Sequence, residues 1–251
     1  MEYGQRVMQQ GMDGDDVQEL QIRLAGFRGT TPDGDFGPGT ALQVVQFQRD
    51  VMNMASPTGI ADRETLLAID AFAEKYPIDF EKLACPCGKC TGFGKQRFES
   101  SYRSAKPKIE RNYRYEYPGM HRMLLWAVRA VFLYAPEHDI IFTSGYRCAD
   151  DNKKRGRRST NHHGKAIDLD IAKKPGEDKR DDMTHCEQLR GIIVEKSTAQ
   201  IGWNAVNRKA LEPKNIAPTW VHYDVRCYEK KYLEDRFFCT SLTGLDRKLS
   251  G

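Results

Sequence analysis

A pair of histidines and a nearby carboxylate lie in the middle of the chain, within S-T-N-H-H-G-K-A-I-D-L-D-I from Ser159 to Ile171. Two imidazoles and one carboxylate form a usual ligand set for catalytic zinc, which leaves the fourth position of the metal to water. Asp168 can supply the carboxylate, and either His162 or His163 can supply one imidazole. These residue types predict a site that can activate water, with Zn2+ as the cofactor.

The second imidazole is predicted to come from His222, in T-W-V-H-Y-D-V-R near the end of the chain. Apolar and polar residues alternate in this segment and again around Asp168, and such alternation is typical of strands. One face of such a strand packs on a core, and the opposite face can line a cleft. The alternation places Asp168 and His222 on the polar faces.

A third candidate strand, I-I-F-T-S-G-Y-R, ends in a glycine turn that can present Ser144 and Arg147. The planar guanidinium of arginine donates two parallel hydrogen bonds and is therefore suited to a carboxylate. We expect both residues to bind the substrate or a developing oxyanion. A structural ion pair is the alternative role for Arg147.

Helical periodicity defines the elements that surround these strands. An amphipathic helix is predicted from Asp15 to Ala25, a second with Thr40 as its N-cap, and a short third with Asp62 as its N-cap. A core helix is predicted from His121 to Tyr134, and we expect His121 to lie at the surface near its start. The chain therefore begins with helices and continues with mixed helix and strand.

The size and charge of the chain restrict the classes of protein that it can represent. Its 251 residues allow two modest domains, and we expect a boundary near residue 76. The net charge of +4 is a mild basic excess, far from a nucleic-acid footprint. We expect the basic run from Arg97 to Arg114 to be a solvated loop or cleft wall. The sequence has no export signal and no apolar run of membrane-spanning length, which predicts a soluble cytosolic product without membrane insertion.

Seven cysteines, an odd number, leave at least one outside any internal disulfide. Three of them are clustered in C-P-C-G-K-C, as Cys85, Cys87 and Cys90. They are compatible with a structural zinc site, a local disulfide or free thiols, since a second C-x-x-C pair is missing. A fourth ligand could come from Cys148, Cys186, Cys227 or Cys239.

The N-terminal pattern closely resembles the peptidoglycan-binding domain found at the ends of many cell-wall hydrolases. The matching words are G-x-x-G-x-D-V-Q-E-L-Q, D-G-D-F-G-P-G-T, V-V-Q-F-Q and T-G-I-A-D-R-E-T-L, between about residues 10 and 70. The resemblance implies a three-helix domain that binds wall glycan or stem peptide without catalysis of its own.

The second half resembles the zinc peptidase family of D-Ala-D-Ala carboxypeptidases and L-alanyl-D-glutamate endopeptidases, which share a fold with the hedgehog signalling domain. The matching words are S-G-Y-R, H-H-G-K-A-I-D-L and W-V-H-Y-D-V-R, within roughly residues 78 to 240. The resemblance implies an α+β fold with a central antiparallel sheet over residues 77–251, after a helical domain over residues 1–76. It also implies that His162, Asp168 and His222 are the metal ligands.

One departure from this family concerns the first histidine. The family usually has Ser-x-His-x-x-Gly-x-Ala-x-Asp, and alignment on Gly164 and Asp168 puts Asn161 in the place of that histidine. If the turn is one residue shorter, His162 becomes the ligand. We prefer His162 to His163 for this reason.

A second departure concerns the general base, which the family places three residues before the last histidine. Thr219 occupies that position here. A carboxylate normally takes the proton of the attacking water, so we predict Glu212 as the first substitute. Asp224 is the second, although it could instead orient His222.

Together the two resemblances predict a peptidoglycan hydrolase similar to a bacteriophage endolysin, cleaving a stem-peptide amide bond next to a D-amino acid. Such a protein would remain in the host cytoplasm until lysis and then act on the cell wall. We expect a monomer whose partner is bacterial peptidoglycan, with no nucleic-acid partner. The alternative is a non-catalytic wall-binding or virion structural protein that retains the peptidase fold, and Asn161 and Thr219 favour it.

Overall fold

The computed structural model describes residues 1–28, 31–94, 116–157, 159, 161–202, 210–225 and 228–246. The basic run from Arg97 to Arg114, Thr160 and Cys227 lie outside the described residues. Within those ranges, no helix combines the length and apolar character that a membrane crossing requires. The described chain begins with three helices, namely α1 (Asp15–Arg23), α2 (Pro38–Asp50) and α3 (Arg63–Lys75).

The starts of the second and third helices show how local sequence sets these elements. Asp62 caps α3 as predicted, because its side chain accepts a hydrogen bond from the Thr65 N–H. The prediction that Thr40 caps α2 is wrong, since the helix begins at Pro38, whose fixed φ suits the first helical position. The Thr40 hydroxyl is buried and accepts a hydrogen bond from Gln21 Nε2 at 2.9 Å.

A buried amide from α2 organises the loop that leads into α3. Gln48 is fully buried, and its Oε1 accepts hydrogen bonds from the N–H groups of Thr58 at 2.9 Å and Gly59 at 3.0 Å. Its Nε2 donates to the Ile60 carbonyl and to the Thr65 hydroxyl. A single side chain therefore fixes the loop between two helices.

The rest of the described chain mixes helices and strands, which confirms the predicted α+β class. Its elements are α4 (Phe80–Leu83), β1 (Met120–His121), α5 (Arg122–Tyr134), β2 (Ile140–Ser144), α6 (Ala149–Lys154), β3 (Ala166–Ile171), α7 (Lys179–Lys196), β4 (Val221–Asp224), β5 (Phe238–Cys239) and α8 (Leu242–Leu245). The strands β2, β3 and β4 form an antiparallel sheet in that order, and β1 pairs with β5. The predicted central antiparallel sheet is therefore present.

The register of this sheet aligns three polar residues across its strands. Asp168 of β3 lies opposite His222 of β4 and, past an irregularity in β2, opposite Ser144. A further extended segment joins the outer side of β4, where the Glu212 N–H donates to the His222 carbonyl at 3.3 Å. The pairing of the backbone therefore brings residues from distant parts of the chain into one row.

The helix α5 lies at the centre of the core and packs against the N-terminal helices. Trp126 is fully buried and stacks on Phe72, with 6.5 Å between the ring centroids. The Arg122 guanidinium of α5 also donates two hydrogen bonds to the Glu19 carboxylate of α1. The hydrophobic core is continuous across residue 76, and the division into domains 1–76 and 77–251 stays a prediction from the sequence.

His121 corrects the expectation that it lies at the surface. Its side chain is fully buried, and its Nε2 lies 2.8 Å from the Tyr232 carbonyl oxygen. Burial lowers the pKa of this histidine to about 4, so the neutral ring packs in the core. The sequence around residue 121 contains no sign of this, because the partner is more than a hundred residues away.

Candidate metal centre

The turn before β3 places the first of the candidate ligands. Gly164 has a φ of +104°, and a Cβ there would collide with the Gly119 carbonyl oxygen, so glycine is required. The backbone of the turn is held on both sides, since the Arg147 N–H donates to the His162 carbonyl at 2.7 Å and the His121 N–H to Gly164 at 2.9 Å. These bonds orient His162 towards β3.

His162, Asp168 and His222 converge on one point, and all three are buried. His162 Nε2 lies 3.3 Å from Asp168 Oδ2, and His222 Nδ1 lies 2.7 Å from Asp168 Oδ1. Two ligand atoms on one tetrahedral zinc, each about 2.05 Å from the metal, are roughly 3.3 Å apart. One atom from each side chain lies within 4.8 Å of the others, which fits a zinc ion with small adjustments.

Hydrogen bonds at the far edge of each imidazole select the nitrogen that is left for a metal. His162 Nδ1 lies 2.7 Å from the Gly145 carbonyl oxygen, which can only accept, so Nδ1 carries the proton and Nε2 faces Asp168. His222 Nε2 lies 3.0 Å from Asp224 Oδ2, which leaves Nδ1 facing Asp168. A ligating histidine usually donates its other N–H to such a carbonyl or carboxylate.

The charges of the site complement a cation. Burial on its own lowers the pKa of His222, but Asp168 and Asp224 outweigh it and raise the pKa to about 9. Burial acts to raise the pKa of Asp168, but hydrogen bonds from His162 and His222 hold it well below its usual range. Without a metal, a proton on His222 therefore offsets part of the negative charge of the two buried carboxylates. A divalent cation can replace that proton.

Two residues predicted to contact substrate lie beside the ligand set. Arg147 Nη2 donates to Asp168 Oδ2 at 3.1 Å, and Arg147 Nε donates to Ser144 Oγ at 2.8 Å. Ser144 Oγ is 3.4 Å from His162 Nδ1. Both residues therefore help to fix the candidate ligands, and the partly exposed guanidinium has more N–H groups than these two bonds use.

The two candidate bases approach the same nitrogen of His222. Asp224 is buried and hydrogen-bonded to Nε2, whereas Glu212 Oε1 lies 3.8 Å from Nε2. Thr219 is half-buried. The hydrogen bond gives Asp224 an orienting position, and the longer distance leaves the Glu212 carboxylate outside hydrogen-bond range of the ring.

The positions of the side chains distinguish His162 from His163 as the candidate metal ligand. His163 is fully buried, and its carbonyl accepts a hydrogen bond from the Tyr117 N–H at 3.0 Å. The converging set contains His162 and not His163. Asn161 forms the turn instead, where its carbonyl accepts from the Lys165 N–H.

Two further clusters of metal-type side chains were not singled out as complete sets by the sequence. Cys148 joins Cys85, Cys87 and Cys90 within 4.8 Å, and only the fold could select it from the other cysteines. Asp170, Asp182 and Cys186 also lie together, beside Lys173, whose Nζ is 3.1 Å from Asp182. The strand parity of Asp170 was the only local signal for the second cluster.

Comparison with known proteins adds information on the N-terminal helices. Residues 13–69 match the family model described as "Putative peptidoglycan binding domain". No curated protein matches the chain. The matched range contains α1, α2 and α3 up to residue 69 and ends before the candidate metal centre. The chain thus has a peptidoglycan-binding domain, which supports a cell-wall-associated protein with peptidoglycan as its partner.

Proposed function

We propose that the protein is a zinc-dependent peptidoglycan hydrolase that cleaves a stem-peptide amide bond next to a D-amino acid. The observation that carries the proposal is the convergence of His162 Nε2, the Asp168 carboxylate and His222 Nδ1. The wall-binding match in the same chain supports peptidoglycan as the substrate. The resemblance of the second half to D-Ala-D-Ala carboxypeptidases and L-alanyl-D-glutamate endopeptidases supports the class of bond.

A zinc ion held by His162, Asp168 and His222 would act as a Lewis acid towards the scissile carbonyl and would lower the pKa of a bound water. The protein holds the two imidazoles in the required tautomers through the Gly145 carbonyl and the Asp224 carboxylate. Arg147 fixes Asp168 and directs its remaining N–H groups at a substrate carboxylate or oxyanion. Each side chain therefore has a role in binding or orientation.

Glu212 is the general base in this proposal. Its carboxylate accepts a proton from the attacking water and passes it to the nitrogen of the leaving amine. The support for this role is that the Glu212 N–H donates to the His222 carbonyl, which holds Glu212 beside this ligand. Glu212 Oε1 lies 3.8 Å from Nε2, the outer nitrogen of the ring, so the side chain must turn to reach the attacking water. Asp224 orients His222 and keeps its negative charge throughout.

The proposed setting is that of a bacteriophage endolysin, held in the host cytoplasm until lysis and then acting on the wall. The peptidoglycan-binding match in the same chain supports action at the cell wall. A non-catalytic wall-binding protein is the second candidate, and the observation that favours it is Thr219 at the place of the family's acidic residue.

Metal content and released fragments test this function together. Purified protein should lose about one zinc ion per chain when His222 is replaced by alanine, and peptidoglycan digests should then lack the new stem-peptide termini that mass spectrometry finds with the wild type. Sedimentation with intact walls should be unchanged. His185→Ala, at a partly exposed position of α7, is the matched control and should behave as the wild type. Fragments released by the His222→Ala protein would refute the proposal, and a wild type without fragments would support the non-catalytic alternative.

A further inference from the structure

Four cysteine side chains converge near the C-terminal end of β2, where Cys85 and Cys148 are buried. Cys85, Cys87 and Cys90 lie in the loop after α4, and Cys148 is the N-cap residue of α6. Their sulfur atoms all lie within 4.8 Å of one another. We propose that these four cysteines bind a structural zinc ion as thiolates. This site is separate from the candidate metal centre and does not depend on the proposed hydrolase.

The distances suit a shared metal ion better than a disulfide. Cys87 Sγ and Cys90 Sγ are 3.5 Å apart, whereas the sulfur atoms of a disulfide are about 2.05 Å apart. Zinc bound to four sulfurs at about 2.3 Å holds them roughly 3.8 Å apart at the corners of a tetrahedron. The Cys87–Cys90 separation is close to that edge, and the other sulfur atoms lie within 4.8 Å of one another, so modest movements of the side chains would accommodate a zinc ion.

Backbone N–H groups point at the sulfurs, as expected for thiolates that carry charge. The Lys89 and Cys90 N–H groups donate to Cys87 Sγ at 3.4 and 3.3 Å, and the Cys148 N–H donates to Cys85 Sγ at 3.3 Å. Gly88 has a φ of +65°, which lets the loop turn between the two cysteines of the C-x-x-C pair. Such outer-shell donors stabilise ligating side chains.

The surroundings of the cluster complement a negatively charged metal site. Zinc with four thiolates carries a net charge of −2. The hollow beside Cys87 is lined by four cationic and two acidic side chains, which leaves an excess of +2. These are Lys89, Lys153, Lys154, Arg155, Asp150 and Asp151. Although solvent screens such exposed charges, their sign favours the metal-bound form.

The proposed ion would anchor the end of β2 that supports the candidate metal centre. The Tyr146 N–H donates to the Leu83 carbonyl at 2.7 Å, and a Cβ on Gly145 would collide with that carbonyl. The loop before the cysteines therefore packs directly on the turn that carries Arg147 and the Gly145 carbonyl. A closed site with four protein ligands is a structural type of zinc site, which suits this position.

Cobalt substitution distinguishes this site from the histidine site. Protein stripped of metal under reducing conditions and reloaded with Co2+ should show the near-ultraviolet thiolate-to-cobalt absorption. The Cys87→Ser/Cys90→Ser double variant should lose this absorption. His222→Ala and the control Cys239→Ser, a buried cysteine of β5 outside the cluster, should keep it. Absence of the absorption in the wild type, or its persistence in the double variant, would overturn the proposal.

Thiol labelling of the wild type gives an answer even if the double variant fails to fold. With zinc bound, the four cysteines should resist alkylation and become reactive when a chelator is added. The intact mass of the protein should equal that of the chain with all cysteines reduced, because disulfides would lower the mass by the hydrogens they lose. Protection that survives both chelator and denaturant and is removed only by a reductant would assign disulfides and refute the zinc site. Because loss of either site should lower the zinc content by about one ion, failure of one proposal leaves the other measurable.

Discussion

Buried polar side chains serve different purposes in the N-terminal helices and in the central sheet. In the helical region, Gln48 has both ends of its amide bonded to the loop between residues 58 and 65, so donors meet acceptors. In the sheet, Asp168 is approached by two imidazoles and one guanidinium, and the two imidazoles each direct one nitrogen at it. The first arrangement is saturated within itself, whereas the second is built around one carboxylate.

This difference separates polar groups that specify a fold from polar groups that can bind an ion. A saturated amide network stabilises a unique loop conformation and offers nothing to a ligand. A buried cluster of ligand atoms with outer-edge hydrogen bonds has the features of a metal site. The family match covers the first region, so the function proposed for the second region depends on the geometry of its side chains.

Gln48→Leu should show the largest effect on stability. The substitution leaves the N–H groups of Thr58 and Gly59 without their acceptor inside the protein, and we expect the free energy of unfolding to fall by about 4 kcal/mol. Urea unfolding followed by circular dichroism measures this. At urea concentrations below its unfolding transition, the Gln48→Leu protein should have the same zinc content as the wild type. Gln9→Leu, at an exposed position, is the control and should change stability by less than about 0.5 kcal/mol. If Gln48→Leu lowers the free energy of unfolding by less than about 1 kcal/mol, the hydrogen bonds of Gln48 do not stabilise the helical region.

Glu212→Gln tests the other side of the comparison, where a buried polar group should matter for chemistry. We expect turnover to fall about a hundredfold, equal to about 2.7 kcal/mol in activation free energy, with zinc retained. Asp224→Asn should instead weaken zinc binding about 10- to 100-fold, because a neutral amide replaces the charged acceptor of the His222 N–H. Turnover and metal titration separate the two effects. If the Asp224 variant, saturated with zinc, loses turnover and the Glu212 variant keeps it, the two roles are exchanged.

Local patterns predicted the elements of the fold. The alternation around Asp168 and His222 identified β3 and β4, and the apolar periodicity after His121 identified α5. The same alternation did not predict exposure, since Asp168 and His222 are both buried. Parity along a strand determines the direction of a side chain, but burial depends on what covers that face.

Contacts between segments that are distant along the chain could not be predicted from the sequence. Thr40 looked like an N-cap, but Gln21 uses its hydroxyl and Pro38 begins the helix. His121 was predicted to be exposed, but it is buried and its Nε2 is hydrogen-bonded to the Tyr232 carbonyl, 111 residues away in the chain. The sequence did not distinguish Cys148 from three other cysteines, because only the packing of α6 brings Cys148 to the loop after α4. In each case the partner lies across the fold, where local periodicity carries no information.

The packing between the two compared regions gives the smallest effect. Gly26 lies against α5, and a Cβ there would meet Ala130 Cβ below contact distance and the Ala127 backbone at 3.1 Å. Gly26→Ala should therefore force the turn after α1 away from α5 and lower the free energy of unfolding by about 2 kcal/mol. Urea titration should show this loss equally by circular dichroism and by tryptophan fluorescence if both regions unfold together.

Gly191→Ala is the matched control, because a Cβ at this position of α7 has no neighbouring atom within 4 Å. Alanine is the better helix former, so this variant should be more stable than the wild type by about 0.5 to 1 kcal/mol. Opposite signs for the same substitution would show that steric contact with α5, rather than the added methyl group itself, destabilises the Gly26 variant. If both variants gain stability, the helical region does not pack closely on α5, and the two regions are independent in stability as well as in their use of buried polar groups.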